Sequence, residues 1–199
     1  MISVYKLKPK FQQLLTPVLL FLHKNKITAN QITVSSILLS AVIGILFWNA
    51  EYSKWLFLSL PIGLLIRMAL NALDGMMARK FNQTSKLGEV LNEIGDIVSD
   101  VIIFFPLLKF QPESLYLIII FIVLSIINEF SGLLGKVVGK DRRYDGPMGK
   151  SDRALILGLY GLFIFFGVNI SGISIYIFGI IIALLLISTF TRLKKSLHE

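Results

Sequence analysis

Long apolar segments, separated by short connections that carry most of the charge, dominate this chain of 199 residues. Hydrophobic residues make up 55% of the chain and charged residues 16%, whereas soluble proteins average about 45–50% apolar and about 25% charged residues. An α-helix needs ~20 consecutive apolar residues to cross the hydrocarbon core of a bilayer. The pattern therefore predicts an all-α, polytopic membrane protein that forms a single domain over residues 1–199.

Six segments are predicted to span the membrane, because each is long and apolar enough to do so. Together they form a predicted six-helix bundle over about residues 29–196. The spans are expected at about residues 33–48, 55–79, 88–108, 115–134, 151–167 and 170–192.

A different pattern precedes the first span. Over about residues 2–24 the apolar side chains recur every three or four residues, while lysines fall on other faces of the helix. This periodicity predicts an amphipathic helix that lies in the headgroup layer of the membrane. Its apolar positions are Val4, Leu7, Phe11, Leu14, Leu15, Val18 and Leu22.

The basic residues predict the orientation of the chain. Seventeen of the 20 Lys and Arg residues lie before the first span, in the second-to-third and fourth-to-fifth connections, or at the C-terminus. By the positive-inside rule these parts face the cytoplasm. The sequence thus predicts a multi-pass protein of the inner (cytoplasmic) membrane with both termini cytoplasmic. The same rule accounts for the net charge of +8, so no nucleic-acid partner is predicted.

Cysteine is absent from the chain, which excludes disulfides, thiolate metal sites and a cysteine nucleophile. The only imidazoles are those of His23 and His198, and both lie outside the apolar segments. A zinc site or a Ser-His relay is therefore not expected.

The segment of residues 71–100, at the predicted cytoplasmic ends of the second and third spans, concentrates polar side chains. On the second span Arg67, Asn71 and Asp74 are four and three residues apart, so they share one helix face. On the third span four acidic residues with the same spacing form a stripe, flanked by Asn92. The stripe consists of Glu89, Glu93, Asp96 and Asp100. Polar groups at this depth are costly and are usually functional or paired.

Carboxylates that face one another across a helical hairpin repel, unless they bind protons or a shared cation. Oxygen ligands without His or Cys favour Mg²⁺ or Mn²⁺ over zinc. Gly75, Ala78 and Gly88 would leave the adjoining backbone accessible to a ligand. A purely structural interpretation is also open, because small residues permit close helix packing and a single Asp caps a helix or pairs with a Lys.

The same segment resembles the signature of the CDP-alcohol phosphotransferase family, Asp-x2-Asp-Gly-x2-Ala-Arg followed after about eight residues by Gly-x3-Asp-x3-Asp. The segment of residues 27–33 is similar to the family's entry to the first span. The whole chain, with its NALDG, LNEIGD and GPMGKSDR segments, is most similar to the YnbA-like bacterial branch. The residues that match in type and spacing are Asp74, Gly75, Ala78, Arg79, Gly88 and Asp96.

Two positions depart from the signature, because Asn71 and Asn92 replace its first and third aspartates. The resemblance implies that Asn71, Asp74, Asn92 and Asp96 hold Mg²⁺ or Mn²⁺ and that Asp96 is the general base. Glu93 as a metal ligand and Asp100 as an alternative base would restore the two missing negative charges. A one-metal enzyme and an inactive homologue are the opposite hypotheses.

The resemblance implies a phosphatidyltransferase in phospholipid biosynthesis, with CDP-diacylglycerol as donor and CMP as product. Asp74, Gly75, Ala78, Arg79 and Gly88 are then the expected nucleotide-binding residues. Lys150 and Arg153, at the start of the fifth span, are the expected contacts for a phosphate on the acceptor alcohol. Glycerol phosphate, an inositol phosphate, another polyol and a headgroup sugar all fit as acceptors.

Further expectations concern the assembly and the interior of the bundle. The resemblance implies a homodimer. Glu129 of the fourth span is predicted either to line the same cavity or to form a buried ion pair with Arg67 of the second span, and the ion pair is the favoured interpretation. Two other functions remain open: a protein that binds CDP-lipid without catalysis, and a small transporter or proton relay that uses the same carboxylates.

Overall fold

The structure is a computed structural model that describes residues 8–139 and 141–198. Over these residues the chain forms α-helices and short 3₁₀ turns, and no β-strand. The 3₁₀ turns are Lys54–Leu58 and Pro112–Ser114. The helices are α1 (Lys8–Lys24), α2 (Ala29–Trp48), α3 (Ser59–Lys80), α4 (Lys86–Phe104), α5 (Leu107–Phe110), α6 (Leu115–Val138), α7 (Lys150–Phe165) and α8 (Ser171–Ser196).

Within the described part of the chain, four helical segments are long and apolar enough to cross a membrane, namely Ala29–Trp48, Lys54–Lys80, Pro112–Val138 and Ser171–Ser196. The multi-pass membrane fold is thereby confirmed. The other two predicted spans correspond to α4 and α7. Helix α4 has 19 residues, five of them charged, and α7 has only 16 residues. For these two, length and composition alone do not establish a span, and the count of six stays a prediction.

The long helices alternate in direction, so that α2, α4 and α7 begin at the end of the bundle where α3, α6 and α8 finish. At this end Thr33 near the start of α2 contacts Asp74 near the end of α3, and Lys150 at the start of α7 contacts Asp96 of α4. At the opposite end Lys109 pairs with Glu51 at 2.5 Å. Because the predicted cytoplasmic connections all lie at the first end, we call it the basic end.

Glycines allow α2 and α4 to pack closely. A methyl group added at Gly44 of α2 would lie 2.6 Å from the Ile102 side chain, and one added at Gly95 of α4 would lie 2.6 Å from the Ile37 side chain. Such distances are far below van der Waals contact. Gly44 also faces the Ile102 carbonyl oxygen at 2.9 Å and so requires glycine, whereas a methyl group at Gly95 would displace the end of the Ile37 side chain. The close approach brings the polar residues of α4 beside those of α2 and α3.

Helix α1 lies across the basic end of α3. Its Leu15 and Leu19 are buried against Leu73 and Met77 of α3. Other apolar side chains of α1, including Phe21, are exposed, as expected for a helix that also contacts lipid. Residues 2–7 of the predicted amphipathic helix lie outside the described residues, and its position in the headgroup layer stays a prediction.

Candidate active site

A cavity of about 940 Å³ opens at the basic end. Residues from α1, α2, α3, α4, α7 and α8, Glu129 of α6, and residues of the α3–α4 and α6–α7 connections line it. Its polar wall includes Thr33, Asn71, Asp74, Arg79, Glu89, Asn92, Asp96, Arg142, Tyr144, Lys150, Ser151 and Arg192. The hairpin of α3 and α4 thus presents polar residues of both helices to one shared space.

Hydroxyl groups of α2 hold the two polar residues of α3 in place. The Thr33 hydroxyl donates a hydrogen bond of 2.9 Å to Asp74 Oδ2. The Ser36 hydroxyl donates one of 2.7 Å to Asn71 Oδ1. The Asn71 carbonyl is therefore engaged with α2, and its amide nitrogen points towards Asp96 at 3.5 Å. This arrangement leaves Asn71 less suited to bind a metal than the sequence indicated.

One of the two carboxylate oxygens of Asp96, on α4, is surrounded by hydrogen-bond donors. Lys150 Nζ contacts Asp96 Oδ1 directly. Asn71 Nδ2 and an Arg67 nitrogen lie 3.5 and 3.9 Å from the same oxygen. No side-chain hydrogen bond to Oδ2 occurs within the described ranges. One oxygen of Asp96 is thus fixed by the protein, and the other is available for chemistry.

A ladder of ion pairs runs beneath the cavity and joins α3, α4, α6, α7 and the α6–α7 connection. Arg67 and Arg153 each bind one oxygen of Asp100 at 2.8 Å. Arg153 also binds Glu129 at 2.8 Å. Arg142 continues the ladder to Glu129 at 2.9 Å and to Glu93 at 3.0 Å. We call this set the ion-pair ladder: Arg67, Glu93, Asp100, Glu129, Arg142 and Arg153.

The predicted pair of Arg67 with Glu129 was wrong. Arg67 binds Asp100 of α4, and Glu129 binds Arg153 of α7 and Arg142 of the connection. The physical reason is the packing order of the helices. Helix α3 packs on α2 and α7, whereas α6 packs on α8 and α4. Because α2 packs against both α3 and α4, Arg67 lies opposite Asp100 of α4, whereas Glu129 of α6 lies opposite Arg153 of α7.

Three of the predicted site residues belong to the ion-pair ladder and do not line the cavity: Glu93, Asp100 and Arg153. The Arg153 side chain is only 1% exposed and also donates to the Met148 carbonyl. Asp100, with both oxygens bound by arginines, is poorly placed to accept a proton from a substrate. Glu93 is bound to Arg142, which disfavours a metal contact. Both terminal nitrogens of Arg153 are bound to Met148, Asp100 and Glu129, which disfavours a phosphate contact.

The electrostatics of the ladder keep Arg142 charged. Burial tends to lower the pKa of the Arg142 guanidinium. Its neighbours Tyr144, Glu129 and Glu93 more than offset this, so the pKa lies above its usual value. Arg142 therefore remains a cation at the cavity wall across the physiological pH range.

The other predicted residues do line the cavity. Its α3 side contains Asn71, Asp74, Gly75, Ala78 and Arg79, its α4 side contains Gly88, Asn92 and Asp96, and the start of α7 contributes Lys150. The exposed Arg79 guanidinium folds over Gly75, 3.2 Å from where a methyl group would be. Gly88 also serves packing, because an added methyl group there would lie 2.6 Å from the Asn30 side chain.

Several polar residues at or beside the cavity were absent from the sequence-based predictions. Thr33 and Ser36 had a detectable signal, since with Ser40 they form a polar stripe at spacings of three and four on an apolar helix. The charge of Arg192 was interpreted only as a sign of the cytoplasmic side of the membrane. It is 2% exposed, lines the cavity, and donates to the carbonyls of Asn128 and Asp145.

The cavity also has an apolar part between α3 and α7. It continues directly from the polar wall, and two of its side chains, Leu65 and Leu155, are largely exposed on the outer surface of the bundle. The cavity therefore joins a charged compartment to a groove that opens sideways. The residues of this groove are Pro61, Leu64, Leu65, Met68, Ala154 and Leu155.

The sequence matches the family model of the CDP-alcohol phosphatidyltransferases over residues 26–191. The chain belongs to this family. The resemblance seen in the signature is thereby confirmed, and the chain is a membrane-embedded phosphotransferase of phospholipid biosynthesis. The matched residues include α2, α3, α4, α6 and α7 in full, whereas α1 and Arg192 of α8 lie outside them.

Two known proteins are similar to this member of the CDP-alcohol phosphatidyltransferase family. The inner membrane protein YnbA of Escherichia coli (strain K12) is 48% identical over 160 residues, which cover 80% of this chain and 79% of YnbA. The phosphatidylinositol phosphate synthase PgsA1 of Mycobacterium tuberculosis, solved with CDP-DAG bound, superimposes with a TM-score of 0.75. That alignment covers 92% of this chain and 94% of PgsA1 at 20% identity, so it shows a shared fold.

Members of this family generally use divalent metals, and the cavity partly fits such an ion. Its wall offers oxygen donors from Asp74, Asn92 and Asp96, which suit Mg²⁺ or Mn²⁺. Within the described residues, however, no three His, Cys, Asp or Glu side chains converge on one point. The donor set fits an ion that is held by few protein ligands and completed by substrate phosphates and water.

Proposed function

We propose that this protein transfers a phosphatidyl group from CDP-diacylglycerol to an alcohol acceptor and releases CMP. The continuity of the charged compartment with the sideways-opening apolar groove is the observation that carries this proposal. A donor with a nucleotide diphosphate at one end and acyl chains at the other needs both environments within one cavity. The family membership and the likeness to a protein solved with CDP-DAG bound support the same donor.

The nucleotide end of the donor is proposed to lie along α3 and the start of α4. Gly75 and Ala78 leave the helix surface low enough for the pyrophosphate to approach, and Gly88 does the same on α4. Arg79, exposed at the rim, is free to swing from Gly75 onto a phosphate oxygen. Thr33 holds Asp74 facing this region.

Asp74 and Asn92 are the proposed protein ligands of Mg²⁺ or Mn²⁺. The ion, when bound, neutralises charge on the pyrophosphate and the departing CMP. Asp96 lies across the cavity and keeps Oδ2 for the acceptor. In the proposed reaction the acceptor hydroxyl gives its proton to this oxygen and attacks the phosphorus next to the diacylglycerol. The bond between that phosphorus and the CMP oxygen breaks, and CMP leaves.

The acceptor is proposed to carry a phosphate or an equivalent anion. Of the two residues predicted to bind it, Lys150 lines the cavity, whereas Arg153 is held in the ion-pair ladder. Arg192 is better placed than Arg153, because it lines the cavity and is bound to backbone carbonyls only. A buried guanidinium with no carboxylate within ion-pair distance among the described residues favours an anionic ligand.

Replacing Arg192 with glutamine should raise the KM for a phosphorylated acceptor about 10–100-fold, since a hydrogen bond to a charged group contributes ~1.5–3 kcal/mol. The KM for CDP-diacylglycerol should change little. Arg192→Lys should recover part of the loss. Steady-state kinetics with glycerol phosphate, inositol phosphate and the corresponding free alcohols would measure the effect.

Arg143→Gln is the matched control, because Arg143 lies in the α6–α7 connection but does not line the cavity. Equal KM increases for phosphorylated and free alcohols in the Arg192→Gln protein would contradict the assignment.

The proposed topology has six spans with both termini in the cytoplasm. The alternation of six helices about one basic end supports it, and the short α4 and α7 then cross with their polar starts at the cytoplasmic surface. Helix α1 would lie in the inner headgroup layer with its exposed apolar side chains in lipid. A homodimer, expected from the family resemblance, completes the proposal.

The deciding experiment is an assay of CMP release from CDP-diacylglycerol by the purified protein in nanodiscs, with Mg²⁺ or Mn²⁺ and a panel of acceptors. Acceptor-dependent CMP release is the expected result. The second candidate function, binding of CDP-lipid without catalysis, is favoured by the neutral Asn71 and Asn92. Saturable binding of CDP-diacylglycerol without CMP release under any condition would favour that function instead.

A further inference from the structure

The charge of the cavity differs from that of a site built for two divalent cations. Of the four signature positions, only Asp74 and Asp96 carry a negative charge, and Asn71 and Asn92 are neutral. Two-metal sites hold their ions about 3.5–4 Å apart, which requires carboxylates to offset the mutual repulsion of the ions. Here only half of the carboxylates of the signature are present.

A positively charged side chain of the protein already contacts one of the two remaining carboxylates. Lys150 Nζ contacts Asp96 Oδ1, and the Lys150 side chain is 23% exposed and lines the cavity. The Asn71 amide points to the same oxygen at 3.5 Å. A carboxylate in its place would put a second negative charge beside Lys150. A neutral Asn71 and a positive Lys150 therefore suit the same single carboxylate, that of Asp96.

Asp74 differs from Asp96 in this respect. Its hydrogen-bonding partner is the neutral hydroxyl of Thr33, and within the described ranges it has no ion pair with Lys or Arg. Asp74 thus has no cation of the protein within ion-pair distance among the described residues, whereas Asp96 is already paired with Lys150. The other acidic residues at the wall have partners too, since Glu89 pairs with Lys136 and Glu129 with two arginines.

We propose that the cavity takes a single divalent cation, on the Asp74 side, and that the Lys150 ammonium occupies the position of a second one beside Asp96. This inference rests on the proposed function, because it names how the same site balances the charge of a CDP-alcohol. With one cation and one ammonium the site still presents positive charge to both phosphates of the donor. Lys150 is accordingly a positioning residue for Asp96 and a fixed counter-charge for the pyrophosphate.

The test is a count of bound Mn²⁺ by electron paramagnetic resonance and equilibrium dialysis, with the full chain in nanodiscs and saturating CDP. The wild-type protein should bind one Mn²⁺ per chain with the signal of an isolated ion. Two Mn²⁺ per chain with the signal of a coupled pair would overturn the proposal, and so would the absence of bound Mn²⁺.

Three variants test the part assigned to Lys150. The Asn71→Asp/Asn92→Asp protein restores the carboxylates but keeps the ammonium, so a second Mn²⁺ should bind weakly. Adding Lys150→Gln should raise the affinity of the second site for Mn²⁺ at least about ten-fold, because one nearby charge commonly has an effect of this size on an ionisation equilibrium. Adding Lys150→Arg instead should leave the second site weak. Equal second-site affinity in all three variants would overturn the role of Lys150.

The metal count separates this inference from the proposed function. It is measured at equilibrium without turnover, so a failure to release CMP leaves the count interpretable. Conversely, a fully active enzyme that binds two Mn²⁺ per chain would sustain the proposed function and overturn the single-cation site.

Discussion

Replacing Asp74 with asparagine should lower the rate of CMP release about 10²–10³-fold, the effect of removing one electrostatic contact to the reacting group. Asp74 is the one carboxylate of the cavity that has no cationic partner among the described residues. Asparagine preserves its shape and its hydrogen bond with Thr33 but removes the charge that would hold a divalent ion. The measurement is the initial rate of CMP release in nanodiscs, at saturating CDP-diacylglycerol and acceptor.

A matched control neutralises a carboxylate at the opposite end of the bundle. Glu51→Gln breaks the ion pair with Lys109, which lies far from the cavity, and should leave the rate within about two-fold, since exposed pairs contribute only ~0–1 kcal/mol. The thermal midpoint of Asp74→Asn should stay close to that of the wild-type protein. A correctly folded Asp74→Asn protein with undiminished activity would remove Asp74 from the mechanism.

Replacing Arg153 with methionine should destabilise the protein by about 3–5 kcal/mol, the usual effect of removing one partner from a buried ion pair. Arg153 bridges two carboxylates of different helices, Asp100 of α4 and Glu129 of α6, at 2.8 Å each. Methionine fills similar space but leaves both carboxylates without their central partner. For a chain of this length the expected fall in Tm is about 6–20 °C.

Thermal unfolding in detergent or nanodiscs, followed by circular dichroism, measures this effect. Lys109→Met removes an exposed ion pair and should shift Tm by no more than about 2–4 °C. The experiment also decides between two roles for Arg153. If Arg153 bound the acceptor phosphate, Arg153→Lys would raise the acceptor KM with Tm unchanged. A structural role predicts a lower Tm with the acceptor KM unchanged.

The sequence was most informative where function depends on local spacing. The distance of three or four residues between polar positions placed Asn71 and Asp74 on one face of α3, because the helical repeat fixes which residues share a face. The same holds for Asn92 and Asp96 on α4. A short connection then keeps the end of α3 near the start of α4, and both helices pack on α2, so the shared cavity of these four residues was predictable.

The same local rule does not indicate the partners of the acidic residues further along α4. Glu93 and Asp100 fall on the acidic stripe by spacing, yet both are bound by arginines from other helices. Nothing in the spacing of α4 indicates that Arg67, Arg142 and Arg153 converge on it. The pairing of Arg67 with Glu129 failed for the same reason, since it assumed a contact between α3 and α6 that the packing order does not make.

What the sequence by itself determined is the class of fold, the family, the end of the bundle that carries the site and the residues of the signature. These follow from hydrophobic length, charge distribution and helical periodicity, which are properties of contiguous sequence. Only the tertiary structure decided which charges are available for chemistry. A buried charge takes the nearest opposite charge as its partner, and nearness between helices is set by packing. That is why Asp96 came to face Lys150, Asp100 became structural, and Arg192 entered the site.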